Sequence, residues 1–362
     1  MKKILIIAAS ILFISACNKY EIKDQNKGQA IDFRVALETK ATEITTTNLT
    51  EFYVTALKDD GSIYFEDLLF TKKEESGYFE SGQKYYWPAD GNLHFYAYYP
   101  GSSNALNISG TLKQITDYNA VSDITKQTDI IIAKATGNKT ANQETGVELE
   151  FAHQLSQVEI KAVNNNAAYT YSIKGVKIAN VNTVGSLDFS GTSTEWVSKT
   201  PGDYVIEYPE AKTISSVPET LMSNAMLIPQ NTEAWVVNPE EVTPEETPEG
   251  GDTPAEQAEE GDNIGSYISI LVQINRVVDD QTTVQVYPKG AEVEYAWMAA
   301  PAAFNWTAGY KYVITLDLGK GGGYEDPDND VTDDDVEKVL GGQMKFDVSV
   351  YSWYHTGYGQ NL

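Results

Sequence analysis

The chain has 362 residues, of which 52 are acidic and 26 basic, and its formal net charge is −26. Such an acidic chain argues against nucleic-acid binding, because proteins that bind nucleic acids carry basic surfaces. Its only cysteine is Cys17, which excludes an internal disulfide, and its length suffices for two domains.

The first seventeen residues have the pattern of a lipoprotein signal. Two lysines precede an apolar run over residues 4–14, which is too short to span a bilayer and has the flanks of a signal peptide. Residues 14–17 have the sequence ISAC, which matches a lipobox. At a lipobox a signal peptidase cuts before the cysteine, and the cysteine then carries lipid. We therefore predict a signal peptide over residues 1–16 and acyl chains on Cys17. The alternative is an ordinary secretory signal with an incidental cysteine.

The rest of the chain is typical of β-structure. In the first segment Ile31, Phe33, Val35 and Leu37 alternate and fall on one face of a strand. Further strands are predicted at residues 52–56, 93–99, 129–133, 147–162, 169–179, 186–189, 204–208, 225–228, 267–274, 283–286, 310–318 and 344–354. No segment has a helical period. Many short strands bounded by turn residues favour β-sandwiches.

Two stretches hold most of the negative charge. Residues 240–262 contain ten acidic residues and no basic one, and residues 325–337 contain eight and no basic one. The segment 238–262 is also rich in proline, threonine and glycine, so we predict a disordered surface loop there. A polar triplet at residues 164–166 is the best candidate for a domain boundary.

Several strings along the chain together resemble the fimbrillin family, the Mfa-like subunits and accessory lipoproteins of type V pili. In chain order they are YWPADG (86–91), LHFYAYYP (93–100), LEFAHQLS (149–156), MLIPQ (226–230), WTAGYKY (306–312) and VSVYSW (348–353). Each string alone is weak evidence for the family. Together, however, the strings occur in order after the lipobox and span nearly the whole chain.

The resemblance implies an all-β fold with two tandem transthyretin-like Greek-key β-sandwich domains. The expected organisation is a signal peptide (1–16), a lipidated propeptide with a removable first strand (17–40), an N-terminal sandwich (41–165) and a C-terminal sandwich (166–362). The resemblance also implies export as a lipoprotein, an outer-membrane and cell-surface location, and assembly with other pilus subunits by donor-strand exchange.

Proteolytic maturation is expected next to Lys40. In the family a trypsin-like protease removes the first strand after a basic residue, and here Lys40-Ala41 occupies that place with lysine for the usual arginine. Arg34 is the alternative site, but a cut there would leave half of the strand behind. A third possibility is that the chain stays uncut, as a membrane anchor does.

The strand that refills the vacated place would come from a neighbouring subunit. The candidate donor is the C-terminal tail, in which Tyr354, Thr356, Tyr358 and Leu362 continue the alternation of residues 344–350. Two glycines in that tail weaken it as a strand. If the tail cannot donate, the subunit can only accept, which suits a tip adhesin.

No motif in the sequence calls for catalysis, a cofactor or a metal. His94, His153 and His355 are scattered, and His153 is interpreted as a structural histidine. The acidic residues from Asp326 to Glu337 have EF-hand spacing but lack the glycine of the sharp turn, so an acidic surface loop is favoured over a calcium site.

The sequence therefore predicts a structural protein rather than an enzyme: a subunit or tip adhesin of a type V pilus. The alternative from a different class is a surface glycan-binding lipoprotein, in which exposed tyrosines and tryptophans stack on sugars. The roles of stalk, tip and anchor subunit stay open.

Overall fold

The computed structural model describes residues 30–36, 48–103, 106–121, 123–192, 194–237, 265–279, 281–290, 293–327, 338–340, 344–352 and 360–361. Most of these residues lie in strands. The exceptions include one helical turn, α1 (Lys139–Asn142), and 3₁₀ turns at Ile124–Lys126 and Leu318–Lys320. Within the described ranges no helix is long and apolar enough to cross a membrane.

The strands follow one another with short connections. The first eleven are β1 (Phe33–Ala36), β2 (Glu51–Lys58), β3 (Ile63–Lys72), β4 (Phe79–Ser81), β5 (Leu93–Tyr99), β6 (Asn107–Ser109), β7 (Gln114–Asn119), β8 (Ile131–Gly137), β9 (Val147–Glu150), β10 (Ala152–His153) and β11 (Ser156–Val163). The others are β12 (Tyr169–Asp188), β13 (Glu195–Ile214), β14 (Glu219–Leu227), β15 (Tyr267–Asp279), β16 (Thr282–Tyr287), β17 (Ala296–Pro301), β18 (Tyr310–Asp317), β19 (Gly323–Glu325), β20 (Lys338–Val339), β21 (Lys345–Ser352) and β22 (Gln360–Asn361).

Three sheets result from their pairing. The first has the order β10-β8-β5-β2-β3-β4-β1-β9, and the second has the order β14-β11-β18-β21-β22. The third has the order β20-β19-β17-β15-β12-β7-β6, with β13 on β12 and β16 on β15. The prediction of an all-β sandwich is confirmed, whereas the tandem transthyretin-like arrangement stays a prediction.

The sheets mix segments from both sides of the predicted boundary. Strand β7 pairs with the end of β12, and β11 pairs antiparallel with β14 and parallel with β18. The division into domains 41–165 and 166–362 stays a prediction, and the acidic loop 238–262 lies outside the described residues.

Two large apolar clusters hold these sheets. The first cluster is aromatic and belongs to the first sheet; among its members are Phe33, Phe52, Phe70, Phe79 and Phe95. The second cluster is larger and aliphatic, and it lies between strands of the second and third sheets, such as β11, β12, β15 and β18. Burial of such side chains is the main favourable term in folding.

The start of strand β8, residues 131–133, contributes to both clusters because this part of the strand is buried on both faces. Ile131 and Ala133 join the aromatic cluster, whereas Ile132, pointing the other way, joins the aliphatic one. Side chains alternate between the faces of a strand, so a strand between two cores must be apolar at every position. This is why residues 130–133 form an uninterrupted apolar run.

Two histidine–aspartate pairs differ sharply in burial. His153 Nδ1 lies 2.6 Å from Asp129 Oδ2, and both side chains are almost fully buried. His94 Nε2 lies 3.0 Å from Asp59 Oδ1 on the surface. The buried pair ties the segment before β8 to β10, which fits the prediction of a structural histidine.

Asp129→Ala should therefore destabilise the fold by about 1–3 kcal/mol, because it removes the partner of a buried imidazole nitrogen. Asp59→Ala, the matched change in the exposed pair, should have a much smaller effect, since exposed ion pairs contribute little. Denaturant titration of both variants measures the difference. Equal losses would contradict a structural role for the buried pair.

Candidate functional site

The candidate site is the place that β1 occupies in the first sheet. Strand β1 lies between β4, with which it is antiparallel, and β9, with which it is parallel. The parallel register joins Phe33 to Val147 and Val35 to Leu149. Among the described residues, β1 is the only strand that pairs with β9. The hydrogen bonds of β9 within the sheet therefore depend on an N-terminal segment.

Phe33 is the centre of this site. Its side chain is 0% exposed. Its ring meets the ring of Phe70 at 4.8 Å and that of Phe95 at 5.1 Å, both edge to face, and the ring of Phe52 at 6.1 Å. Edge-to-face aromatic contacts add to the free energy gained by burial. One residue of β1 thus contacts side chains from three other strands.

The neighbouring apolar positions extend the contact. Ile31 is buried, and its backbone N–H donates to the carbonyl oxygen of Tyr85 at 2.8 Å. Val35 is half-buried and packs against the same aromatic cluster. Alternation places Ile31, Phe33 and Val35 on the core face, as predicted from their spacing. Leu37, the fourth predicted member, lies outside the described residues.

Of the two charged residues at β1, Arg34 faces outward and Asp32, which directly precedes the strand, is partly buried. Arg34 Nη2 lies 3.6 Å from Glu148 Oε2 of β9, with both side chains about half exposed. The pKa of Asp32 is raised, first by its partial burial and second by the carboxylate of Glu80. The ionised form of Asp32 therefore disfavours docking of β1, whereas the apolar face favours it.

The start of β9 approaches β1 very closely. The backbone N–H of Val147 donates to the carbonyl oxygen of Asp32 at 3.1 Å. The preceding residue, Gly146, has a φ of +67°, and a Cβ there would lie 2.7 Å from Asp32 Oδ1. Only glycine combines this backbone conformation with so close an approach.

The removable role of β1 stays a prediction, and the arrangement shows what its absence would expose. Without it, the rings around Phe33 would face a groove, and β4 and β9 would each present unpaired backbone groups. An incoming strand of alternating apolar residues would satisfy both. Strand β4 is antiparallel to β1 and β9 is parallel to it. An incoming strand of either direction would therefore again have one parallel and one antiparallel neighbour.

Other residues of the predicted site lie outside the described ranges. These are the lipidation site Cys17, the cleavage site Lys40-Ala41 and the donor residues Tyr354, Thr356, Tyr358 and Leu362. The described end of the tail, β22, pairs antiparallel with β21. The predictions for these residues stay predictions.

Two aromatic residues of the cluster around Phe33 lie in strands that the sequence pattern did not reveal. Phe70 lies in β3 and Phe79 in β4, and neither strand was predicted. In β3 the alternation is broken by a register shift against Val54 and Ala56 near Asp67, whose φ is +46°. Asp67 Oδ1 accepts hydrogen bonds from Thr55 and Tyr98. The aromatic content of residues 64–70 was the signal that could have revealed this strand.

One predicted surface residue is buried. Asp326, the first position of the EF-hand-like run, is 1% exposed and lies 3.0 Å from Lys177 Nζ. The prediction of an acidic surface loop is therefore wrong for Asp326, because a distant lysine compensates its charge. In the described parts of the chain no group of three or more His, Cys, Asp or Glu side chains could hold a metal ion.

Comparison with known proteins agrees with this architecture. A family model described as "Fimbrillin-like" matches residues 39–337. A fimbrial protein of Bacteroides vulgatus superposes with a TM-score of 0.56 at 14% identity, over 90% of this chain and 99% of that one. No curated protein matches the sequence.

Two further solved structures are more distant. A candidate cell adhesion protein of Bacteroides ovatus has a TM-score of 0.46 at 14% identity, over 92% of this chain and 100% of that one. A fimbrial assembly protein of Parabacteroides distasonis has a TM-score of 0.40 at 10% identity, over 90% of this chain and 96% of that one. At these identities the Bacteroides vulgatus structure shows the fold alone.

Phe33→Ala should weaken the docking of β1 by about 3–5 kcal/mol, the usual loss for a fully buried phenylalanine. Arg34→Ala, on the outer face of the same strand, should cost about 0.2–1 kcal/mol. Hydrogen exchange at the backbone amides of β9 measures both effects. If the two variants exchange at the same rate, Phe33 is not what holds β1 in place.

The stability of the docked strand should fall as pH rises through the folded-state pKa of Asp32. Because that pKa is raised, the folded chain binds more protons than the unfolded chain above pH 3.8, and ionisation then removes stability. Asp32→Asn should abolish this dependence in denaturant titrations. Asp60→Asn should remove a dependence of the opposite sign, because hydrogen bonds from Ser62 lower the pKa of Asp60.

Proposed function

This chain belongs to the fimbrillin-like family, and on that premise we propose that it is a cell-surface pilus subunit assembled by strand exchange at the site of β1. The observation that carries the proposal is the complete burial of Phe33, in a short N-terminal strand that alone pairs with β9 among the described strands. An N-terminal strand is the part of a chain that one cut can release.

The docking of β1 is strong enough to need a replacement once it is lost. Burial contributes about 1.5–3 kcal/mol for each large apolar side chain, as an upper estimate. Ile31 and Phe33 each contribute a share of this size, and Val35 a smaller one. An empty groove would forfeit this energy and leave an aromatic surface in water. Pairing with a strand from another subunit would restore it.

The pairing of β1 also bears on where a protease would cut. Arg34 lies within β1, its register partner is Glu148, and Phe33 beside it pairs with both neighbouring strands. A protease that binds its substrate as an extended strand would find this segment already paired. Lys40 follows the last paired residue of β1 by four positions. The pairing of Arg34 argues against a cut at Arg34, and a cut at Lys40 would free the whole of β1.

Lipidation at Cys17 would hold the precursor at the outer membrane until that cut. Cys17 precedes Lys40 in the chain, so cleavage at Lys40 separates the lipid from the subunit. A chain that stays uncut would keep both its lipid and β1. It would remain an anchor, whereas the cut chain could polymerise.

The glycan-binding alternative is less well supported. Stacking on sugars needs exposed indole or phenol rings, but Trp87, Trp235 and Trp306 are each at most 6% exposed. Tyr310 and Tyr351 are the only aromatic side chains among the exposed large apolar residues of the described ranges.

Limited trypsin cleavage of the purified precursor tests the proposal. Cleavage after Lys40 should yield concentration-dependent multimers that resist denaturant, or a chain that captures a synthetic peptide of residues 29–40. The same peptide with Phe33→Ala should bind far more weakly, and the precursor with Lys40→Gln should neither polymerise nor capture peptide. A cut chain that stays monomeric and ignores the peptide would refute strand exchange.

The N-terminus of the protein recovered from cell surfaces separates the roles. A start at Ala41 identifies a polymerising subunit, whereas an acylated Cys17 identifies an anchor. Unchanged fatty-acid labelling after Cys17→Ser would refute the lipoprotein assignment.

A further inference from the structure

A lysine and an aspartate meet in the interior of the third sheet. Lys177 Nζ lies 3.0 Å from Asp326 Oδ2 and 3.2 Å from Asp326 Oδ1. The side chain of Lys177 is 8% exposed and that of Asp326 is 0% exposed. Six other ion pairs that involve a lysine or arginine each have at least one side chain that is a quarter exposed or more.

The two residues belong to distant parts of the chain that the sheet brings together. Lys177 lies in β12 opposite Ser269 of β15. Asp326 directly follows β19, and its backbone N–H bonds to the carbonyl oxygen of Trp297 in β17. The pair therefore crosses one face of the sheet, from β12 over β15 and β17 to the end of β19. Strand pairing fixes the backbone of Lys177, and the hydrogen bond to Trp297 holds that of Asp326, so the two side chains are kept in contact.

Aromatic side chains enclose the contact. Lys177 Nζ lies 5.2 Å from the ring centre of Tyr267 and 5.4 Å from that of Trp297. Trp235 packs against both Tyr267 and Tyr324, and closes the same face. Such surroundings keep the dielectric low.

Tyr267 also contributes its hydroxyl group. The Tyr267 oxygen lies 3.2 Å from Asp326 Oδ1 and 3.4 Å from Lys177 Nζ. The hydroxyl group therefore contacts both Lys177 and Asp326. It is placed to donate a hydrogen bond to the carboxyl group and to accept one from the amine.

Burial changes the chemistry that this pair can perform. Removing two charges from water is costly. The reaction requires the neutral pair, which would form if one proton passed from Nζ to the carboxylate. A neutral amine is a nucleophile, and a protonated carboxyl is an electrophile that can lose water. Fixed contact between two reactants raises their effective concentration by several orders of magnitude.

We propose that Lys177 and Asp326 form an intramolecular isopeptide bond. The Nζ lone pair attacks Cγ of the protonated Asp326, and the hydroxyl of Tyr267 donates to the oxygen on which negative charge develops. The Nζ–Cγ bond forms, one Cγ–O bond breaks, and the leaving oxygen departs as water with a proton from Nζ. Nothing is oxidised or reduced, and no other reactant is needed.

The bond would close the chain between β12 and β19 into a covalent loop. That loop contains β13 to β19 and the acidic segment 238–262. A pulling force applied along the chain would bypass the loop instead of unfolding it. This inference stands on the geometry of Lys177, Asp326 and Tyr267, and it does not depend on the proposed strand exchange.

Peptide mass spectrometry of the full-length protein tests the inference. After unfolding and trypsin digestion, the expected product is one branched peptide that joins the sequences around residues 177 and 326. Its mass should be that of the two linear peptides less one water, with no cleavage after Lys177. Linear peptides with unmodified Lys177 and Asp326 would overturn the proposal.

Two variants serve as controls. Lys177→Arg keeps the positive charge and the hydrogen-bond donors, but its guanidinium stays protonated and cannot attack, so the branched peptide should be absent. Tyr267→Phe keeps the ring and removes the hydroxyl, so the branched fraction should form at least tenfold more slowly after refolding. If Lys177→Arg does not fold, the digest of the unaltered protein still decides the question. An unchanged rate in Tyr267→Phe would refute the role of its hydroxyl.

Discussion

The burial of Phe33 is the interaction on which the function-related part of this structure depends. Its ring lies among Phe52, Phe70 and Phe95, which come from three strands on the far side of β4 in the sheet order. The backbone of β1 pairs with β4 on one side and with β9 on the other. Sheet edges with unpaired backbone groups invite new strands. In this fold the N-terminal strand lies between two others and fills part of the core, and this is why we propose strand exchange at its place.

The aromatic core is separable from the rest of the molecule only in part. Strand β8 contributes Ile131 and Ala133 to the aromatic cluster and Ile132 to the aliphatic one. Tyr98 of β5 likewise points away from Phe95 and belongs to the aliphatic cluster. The aliphatic cluster contains no residue of β1. Release of β1 would therefore remove contacts from one core and leave the other core to hold the remaining strands.

Much of this fold follows from alternation in the sequence. Strand β5 coincides with the predicted residues 93–99, and β2, β15 and β18 lie close to their predicted places. Residues 147–162 were predicted as one strand, but they are divided among β9, β10 and β11. The strand predictions failed where the local sequence contains residues that disfavour strands but the segment still pairs with a neighbouring strand. Strand β13 runs through Pro201, Gly202 and Pro209, and only residues 204–208 were predicted. Proline lacks the N–H that a central strand needs, but among the described strands β13 pairs with β12 alone, and such an edge tolerates it.

Asp326 shows why a sequence underdetermines a site. Its neighbours are acidic, so composition predicts a solvated loop, and only the registers of β12, β15, β17 and β19 bring Lys177 to it. Phe33 is the opposite case, because its local alternation was enough to assign its face, although its ring partners were not. A core position can be recognised from period and residue type, whereas a charged pair at long sequence separation requires the register of every strand between its members. For this reason the removable strand could be proposed from the sequence, but the contact between Lys177 and Asp326 could not.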